Sequence, residues 1–102
     1  MLSLITAQQS EIERLCRQYS VNRLELFGSA ARGDFNPATS DLDFLVEFHA
    51  LPPAEEADAY FGLLRDLKEL FGRKVDLVVA EAIRNRYLQR SVDSTRTLLY
   101  AA

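Results

Sequence analysis

The sequence predicts a small α/β (α+β) domain, a mixed β-sheet with element order α-β-α-β-α-β-α and helices mainly on one face. Three observations carry this reading. Segments 41–48 and 74–79 alternate apolar and polar residues with the period of a strand, and a long helical stretch separates them. A third strand-like segment, 23–27, precedes them, joined by a connection with room for only one helical turn. Amphipathic stretches at 6–19 and 54–72 supply apolar stripes to cover the sheet.

The elements follow in order. Residues 6–19 read as a helix, with Thr6 and Gln9 as a capping box and Ile5, Ile12, Leu15, Cys16 and Tyr19 on one stripe, which makes Cys16 core filling. Residues 23–27 (RLELF) read as a strand that stops at Gly28. Ser29 to Arg32 make one helical turn, ended by Gly33-Asp34, and Asn36-Pro37 forces a loop. In 41–48 (DLDFLVEF), Leu42, Phe44, Val46 and Phe48 face one side and Asp41, Asp43, Leu45 and Glu47 the other. After Pro52-Pro53 the helix 54–72 is expected to bury Tyr60, Phe61, Leu64, Leu67 and Phe71 and to stop at Gly72. In 74–79 (KVDLVV), Val75, Leu77 and Val79 oppose Lys74, Asp76 and Val78. The tail reads as a helix around Ile83, Tyr87 and Leu88, then a last piece ending in Leu98, Leu99 and Tyr100. The helical crossover predicts a parallel pair for 41–48 and 74–79, and the short connection an antiparallel pair for 23–27 and 41–48.

At 102 residues, 48% hydrophobic and 26% charged, the chain is expected to form one soluble domain spanning 1–102. No apolar run approaches a membrane span, and the N-terminus lacks the basic start and apolar stretch of a signal peptide. A single cysteine excludes an internal disulfide and suits the cytoplasm. One His and one Cys cannot build a typical structural zinc site, and a Ser-His-Asp hydrolase would depend wholly on His49, which falls at a strand end and reads as a surface residue. The net charge of −3 argues against a general nucleic-acid coat, and no direct nucleic-acid contact is expected. Residues 73–102 nevertheless hold 6 bases and 3 acids, the bases being Arg73, Lys74, Arg84, Arg86, Arg90 and Arg96. This tail reads either as a solvated face or, through Arg84, Arg86, Arg90 and Arg96, as a docking surface with Tyr87 and Leu88 as anchors.

Asp41 and Asp43 are two apart on a strand and share a face, and Asp76 interrupts a Val- and Leu-rich strand. Matching core faces turn Asp76 the same way as the pair. Three ionised carboxylates together repel, and a bound divalent cation relieves the penalty, the hard oxygens suiting Mg²⁺ or Mn²⁺. The alternative is an open polar face in water. Gly28-Ser29 ends the preceding strand and opens a helical turn, where glycine permits close approach and free N–H groups and the serine hydroxyl can meet an anion; alone it is equally an ordinary helix cap. With the first two strands antiparallel, that turn lies beside Asp41 and Asp43. Carboxylate-held metal next to a phosphate cradle is the apparatus of phosphoryl or nucleotidyl transfer. Glu47 shares the carboxylate face but stands roughly 13 Å along the strand from Asp43 at ~3.3 Å per residue, so it is left out.

The run GSAARGDFNPATSDLDFLVEF, residues 28–48, resembles the signature of the DNA polymerase beta-like nucleotidyltransferases: Gly-Ser, a spacer, Asp-x-Asp in an apolar strand, and a third Asp in a later strand. Gly28, Ser29, Asp41, Asp43 and Asp76 match it position by position, with a spacer of eleven residues, one more than the shortest form. With KVDLVV and the tail RNRYLQRSV, the chain is most similar to the minimal nucleotidyltransferase (MNT) antitoxins. The resemblance implies a palm-like fold and transfer of AMP from ATP to a tyrosine of a partner HEPN toxin, a ribonuclease, with which the chain would form a hetero-oligomer. It implies that Asp41 and Asp43 hold two Mg²⁺ ions on the triphosphate, that Asp76 binds the ion nearest the acceptor, and that Gly28 and Ser29 hold the β- and γ-phosphates. Lys74 and Arg32 are possible phosphate contacts or surface bases, Lys74 then pairing with Asp76. Larger relatives carry a second domain for an antibiotic or RNA substrate; without one, the acceptor is expected to bring its own binding surface. Two other readings stay open: an antitoxin that only covers its toxin, and a transferase acting on a small molecule or an RNA end.

Overall fold

The computed structural model describes residues 3–33, 35–36 and 41–102, so the expected loop at Asn36-Pro37 lies partly outside the described residues, as does Asp34. The chain folds into α1 (Ser3–Thr6), α2 (Gln9–Gln18), β1 (Val21–Phe27), α3 (Ser29–Arg32), β2 (Leu42–Phe48), α4 (Pro53–Phe71), β3 (Val75–Val79), a 3₁₀ turn (Ala80–Ala82), α5 (Arg86–Thr95) and β4 (Thr97–Ala101). The sheet order is β3-β2-β1-β4. β1 pairs antiparallel with β2 and β4, and β2 runs parallel to β3, as the connection lengths require.

One face of the sheet carries the main core. Leu24, Leu26, Leu42, Phe44, Val46, Val75, Leu77 and Leu99 pack there against Ile12, Leu15 and Cys16 of α2 and Ala59, Leu63 and Leu67 of α4. Cys16 is fully buried and its thiol is pushed up to about 12 by burial, so it is packing and not a nucleophile. Within α4, Tyr60, Leu64, Leu67 and Phe71 keep to the apolar stripe. Phe61 does not: it lies a further ~100° round the helix, is 65% exposed, and meets the Tyr60 ring edge-on at 5.2 Å. Gly72, with φ 60°, closes α4. Among the described residues no helix is long and apolar enough to cross a membrane.

Three features differ from the sequence reading. The first helix is two: α1 ends at Thr6, whose hydroxyl donates to Ser3 O, and α2 starts after Gln8 with no side-chain cap. Gln9 is no capping-box partner but donates to Leu99 O at 2.8 Å, tying α2 to β4. The final piece, unassigned in sequence because Leu98-Leu99-Tyr100 does not alternate, is the edge strand β4. Last, the tail helix begins at Arg86, after Asn85 accepts from the Tyr87 and Leu88 N–H groups at 2.8 and 3.2 Å. It crosses to the second face of the sheet, where Val92 is buried with Phe27 and Leu45 beside Val78, Ile83 and Leu88. Helices therefore cover most of one face and part of the other.

Candidate active site

Strand register creates the site. Phe27, Asp43 and Asp76 are direct partners across β1, β2 and β3; one step along, Glu25, Leu45 and Val78 form the next row on the same face. α5 packs on Leu45 and Val78 of the second row and on Phe27 of the first, while Asp43 is half-buried and Asp76 is exposed on an edge strand. Asp41, just before β2, is half-buried on the same side, with its Oδ2 3.8 Å from Lys74 Nζ. Lys74 thus pairs with Asp41 and not Asp76; Lys74 is well exposed and Asp41 partly so, and the pair contributes little to stability.

Asp43 is electrostatically out of place. Burial first, then the charges of Asp76 and Asp41, push its carboxyl up to about 6, with Arg32 pulling weakly the other way. A row of hard carboxylate oxygens in which two charges raise the proton affinity of Asp43 fits a divalent cation, because a cation reverses the sign of that environment. Among the described residues no three His, Cys, Asp or Glu side chains close into one cage; the carboxylates form an open row.

The other half of the site is the turn after β1. Gly28 has φ 75° and ψ −151°, a conformation essentially confined to glycine. A Cβ there would collide with the Asp43 carboxylate, so the absent side chain is what lets the turn and the carboxylate touch. Gly28 O accepts from Ala31 N at 3.1 Å and Arg32 N at 3.0 Å, starting α3, and Gly33 in the left-handed region closes it. The Gly28 N–H donates to Thr95 Oγ1 at 3.0 Å. Gly28 therefore contributes shape and leaves half-buried Ser29, at the start of α3, to meet an anion. Thr95 carries no mark in the sequence: a threonine at the end of a polar helix has no local signal for a contact 67 positions away.

Glu47 accepts from Asn22 Nδ2 at 2.5 Å, away from the aspartates, and His49 is exposed. In the basic tail, Arg86, Tyr87 and Arg90 are exposed, Leu88 is half-buried against α5's small core, and Arg84 donates to the Glu81 and Ile83 carbonyls. Arg96 is not a free docking residue: it donates to both carboxylate oxygens of buried Glu25 at 2.7 and 2.9 Å.

A glycine-serine turn set against a row of aspartates on a small mixed sheet defines the class: an enzyme that handles nucleoside triphosphates. The family model described as the nucleotidyltransferase domain matches residues 10–99, and the chain belongs to that family. It is 39% identical over 79 residues to a Methanocaldococcus jannaschii protein named as a protein adenylyltransferase, a match covering 78% of this chain and 76% of the relative. A solved minimal nucleotidyltransferase superposes with a TM-score of 0.74 at 28% identity, covering 94% of this chain and 95% of its own. A structure of a tri-AMPylated Shewanella oneidensis HEPN toxin in complex with MNT antitoxin gives a TM-score of 0.65 at 21% identity, over 96% of this chain and 73% of that one, a likeness of fold.

Proposed function

We propose that this chain is a Mg²⁺-dependent protein adenylyltransferase that moves AMP from ATP onto a tyrosine of a partner HEPN toxin and so acts as the antitoxin of the pair. The observation that carries this reading is the seating of Asp43, in register with Asp76, against the Gly28-Ser29 turn. The name of the M. jannaschii relative supports a protein acceptor, and the S. oneidensis complex supports an AMPylated HEPN toxin. A carboxyl that burial first, then Asp76 and Asp41, push up to about 6 favours a catalytic site over a protein that only covers its toxin.

In the reaction the acceptor tyrosine oxygen forms a bond to the α-phosphorus of ATP. The bond from that phosphorus to the oxygen bridging to the β-phosphorus breaks, pyrophosphate leaves with that oxygen, and the phenolic proton passes to solvent water. Asp41, Asp43 and Asp76 would hold Mg²⁺, which neutralises triphosphate charge and favours the phenolate when bound. Ser29 donates its hydroxyl to a phosphate oxygen at the start of α3. Asp76, exposed on the edge strand β3, is the carboxylate that an incoming protein can reach first.

The test is ATP labelled at the α-phosphate, Mg²⁺, and the protein encoded by the adjacent gene. Label on that protein, absent with γ-labelled ATP, with chelator, or with Asp43→Asn, is the expected result. No transfer from α-labelled ATP by the wild-type chain would overturn the reading.

A further inference from the structure

The phosphate turn is held from behind by a residue outside the signature. Thr95 is the last residue of α5, and its hydroxyl makes two bonds. It donates to Ser91 O at 2.7 Å and accepts the Gly28 N–H at 3.0 Å. A hydroxyl has one proton; with that proton on the Ser91 carbonyl, a lone pair is left facing Gly28. Gly28 is buried, so its N–H has no water to fall back on.

The other end of this contact is equally fixed. Val92 anchors α5 against Phe27, the residue before Gly28, and Arg96, the residue after Thr95, is clamped on Glu25 in the same strand β1. The helix end and the strand end are thus pinned on both sides of the Thr95–Gly28 bond. The bond itself sets the rotation of the peptide leading into Gly28, at the point where the chain takes a glycine-only conformation and passes the Asp43 carboxylate.

We propose that Thr95 is a positioning residue for nucleotidyl transfer: it fixes the Gly28 peptide, and through it the Ser29 hydroxyl, relative to Asp43. This rests on the reading of the Gly28-Ser29 turn as the triphosphate site. Transfer catalysis depends on such placement, and a misplacement of about 1 Å costs on the order of 100-fold.

Three variants separate positioning from simple support of α5. Thr95→Val keeps the shape and removes the hydroxyl; Thr95→Ser keeps the hydroxyl; Val92→Ala loosens α5 without touching the hydroxyl. With Mg²⁺, ATP and the acceptor protein, well below every variant's melting point, Thr95→Val is expected to lose tenfold or more in kcat/KM for ATP. Thr95→Ser should stay within threefold of wild type, and Val92→Ala, which keeps the Thr95 hydroxyl, should lose clearly less kcat/KM than Thr95→Val despite a lower melting midpoint. Amide hydrogen exchange at Gly28 gives a readout free of activity: protected in wild type and Thr95→Ser, fast in Thr95→Val. A Thr95→Val enzyme with wild-type kcat/KM, or equal losses in Thr95→Val and Val92→Ala, would overturn the proposal. A wild-type chain that neither binds nor turns over ATP would overturn the functional reading and the positioning role with it, whereas a Gly28 amide that exchanges fast in wild type overturns the positioning role alone.

Discussion

The Asp43 carboxylate lies against the α-carbon of Gly28, in the space where the side chain of any other residue would begin. The contact joins two parts of the nucleotidyltransferase signature that the sequence separates by a whole loop. It explains both residues at once: Gly28 must lack a Cβ, and Asp43 is partly desolvated because a backbone turn covers it.

Gly28→Ala is therefore expected to fail on two counts. The new methyl displaces the Asp43 carboxylate, and a φ of 75° with ψ of −151° strains any residue with a Cβ. The strain should cost about 1–3 kcal/mol of stability, and transfer should fall below detection. Thermal melting and the labelled-ATP assay check this, and an alanine variant with wild-type transfer would separate the turn from the carboxylate.

Ser29→Ala should weaken the handling of the triphosphate while leaving the fold intact. The hydroxyl is half-buried and would bond to a charged phosphate, an interaction of about 1.5–3 kcal/mol. The expected outcome is a rise in KM for ATP, a fall in kcat, or both, amounting to roughly 10–100-fold in kcat/KM. An unchanged response to ATP would place the triphosphate away from this turn.

Asp43→Asn should abolish transfer and, in metal-free buffer at neutral pH, leave the protein at least as stable as wild type. Burial and the charges of Asp76 and Asp41 all disfavour the ionised Asp43, and the amide removes that charge at nearly constant shape. Melting curves in chelator should show an equal or higher midpoint for the variant. A clearly lower one would mean that Asp43 supports the fold through its charge.

The legible parts of this protein were those with local pattern. The alternation in 41–48 announced both the core side of β2 and the shared face of Asp41 and Asp43, and the single helical turn after Gly28 gave the antiparallel pairing. What stayed hidden depended on contacts across the chain. β4 is specified by its pairing with β1 and by Gln9, not by its own sequence. Thr95 and Arg96 look like an ordinary polar helix end until β1 places Gly28 and Glu25 beneath them. Phe61 reads as part of the buried face of its helix, but the helical period turns it outward.

The Glu25–Arg96 pair gives a pH dependence with a definite sign. Glu25 is buried, and hydrogen bonds from Arg96, then from Arg23, hold its carboxyl below the usual range, against the opposing effect of burial. A carboxyl lowered in the folded state contributes its stability fully above the unfolded value, and that contribution is lost as pH falls through the folded value. Wild type should therefore exceed Glu25→Gln by about 1–3 kcal/mol at pH 7, and the gap should shrink steadily once the pH drops below the ordinary glutamate range. Urea titrations at several pH values measure it. A gap that widens on acidification would contradict the assignment.

The exposed part of α5 is a candidate for contact with an acceptor protein. With Arg96 committed to Glu25 and Leu88 packed inward, the candidate docking surface reduces to Arg86, Tyr87 and Arg90. Arg86 and Arg90 are four apart and so share one helix face, and Tyr87 is 77% exposed. Arginine and tyrosine are enriched among the residues that dominate interfaces, and peripheral charges act mainly on the association rate. The double variant Arg86→Glu with Arg90→Glu should slow modification of an acidic acceptor surface at low salt. The difference should narrow at high salt, where charges further apart than about 3–8 Å are screened. ATP binding and the melting midpoint should stay near wild type, because neither arginine reaches the Gly28 turn or the core. Equal rates for variant and wild type at every salt concentration would make these arginines a solvated face and move the acceptor to another surface of the sheet.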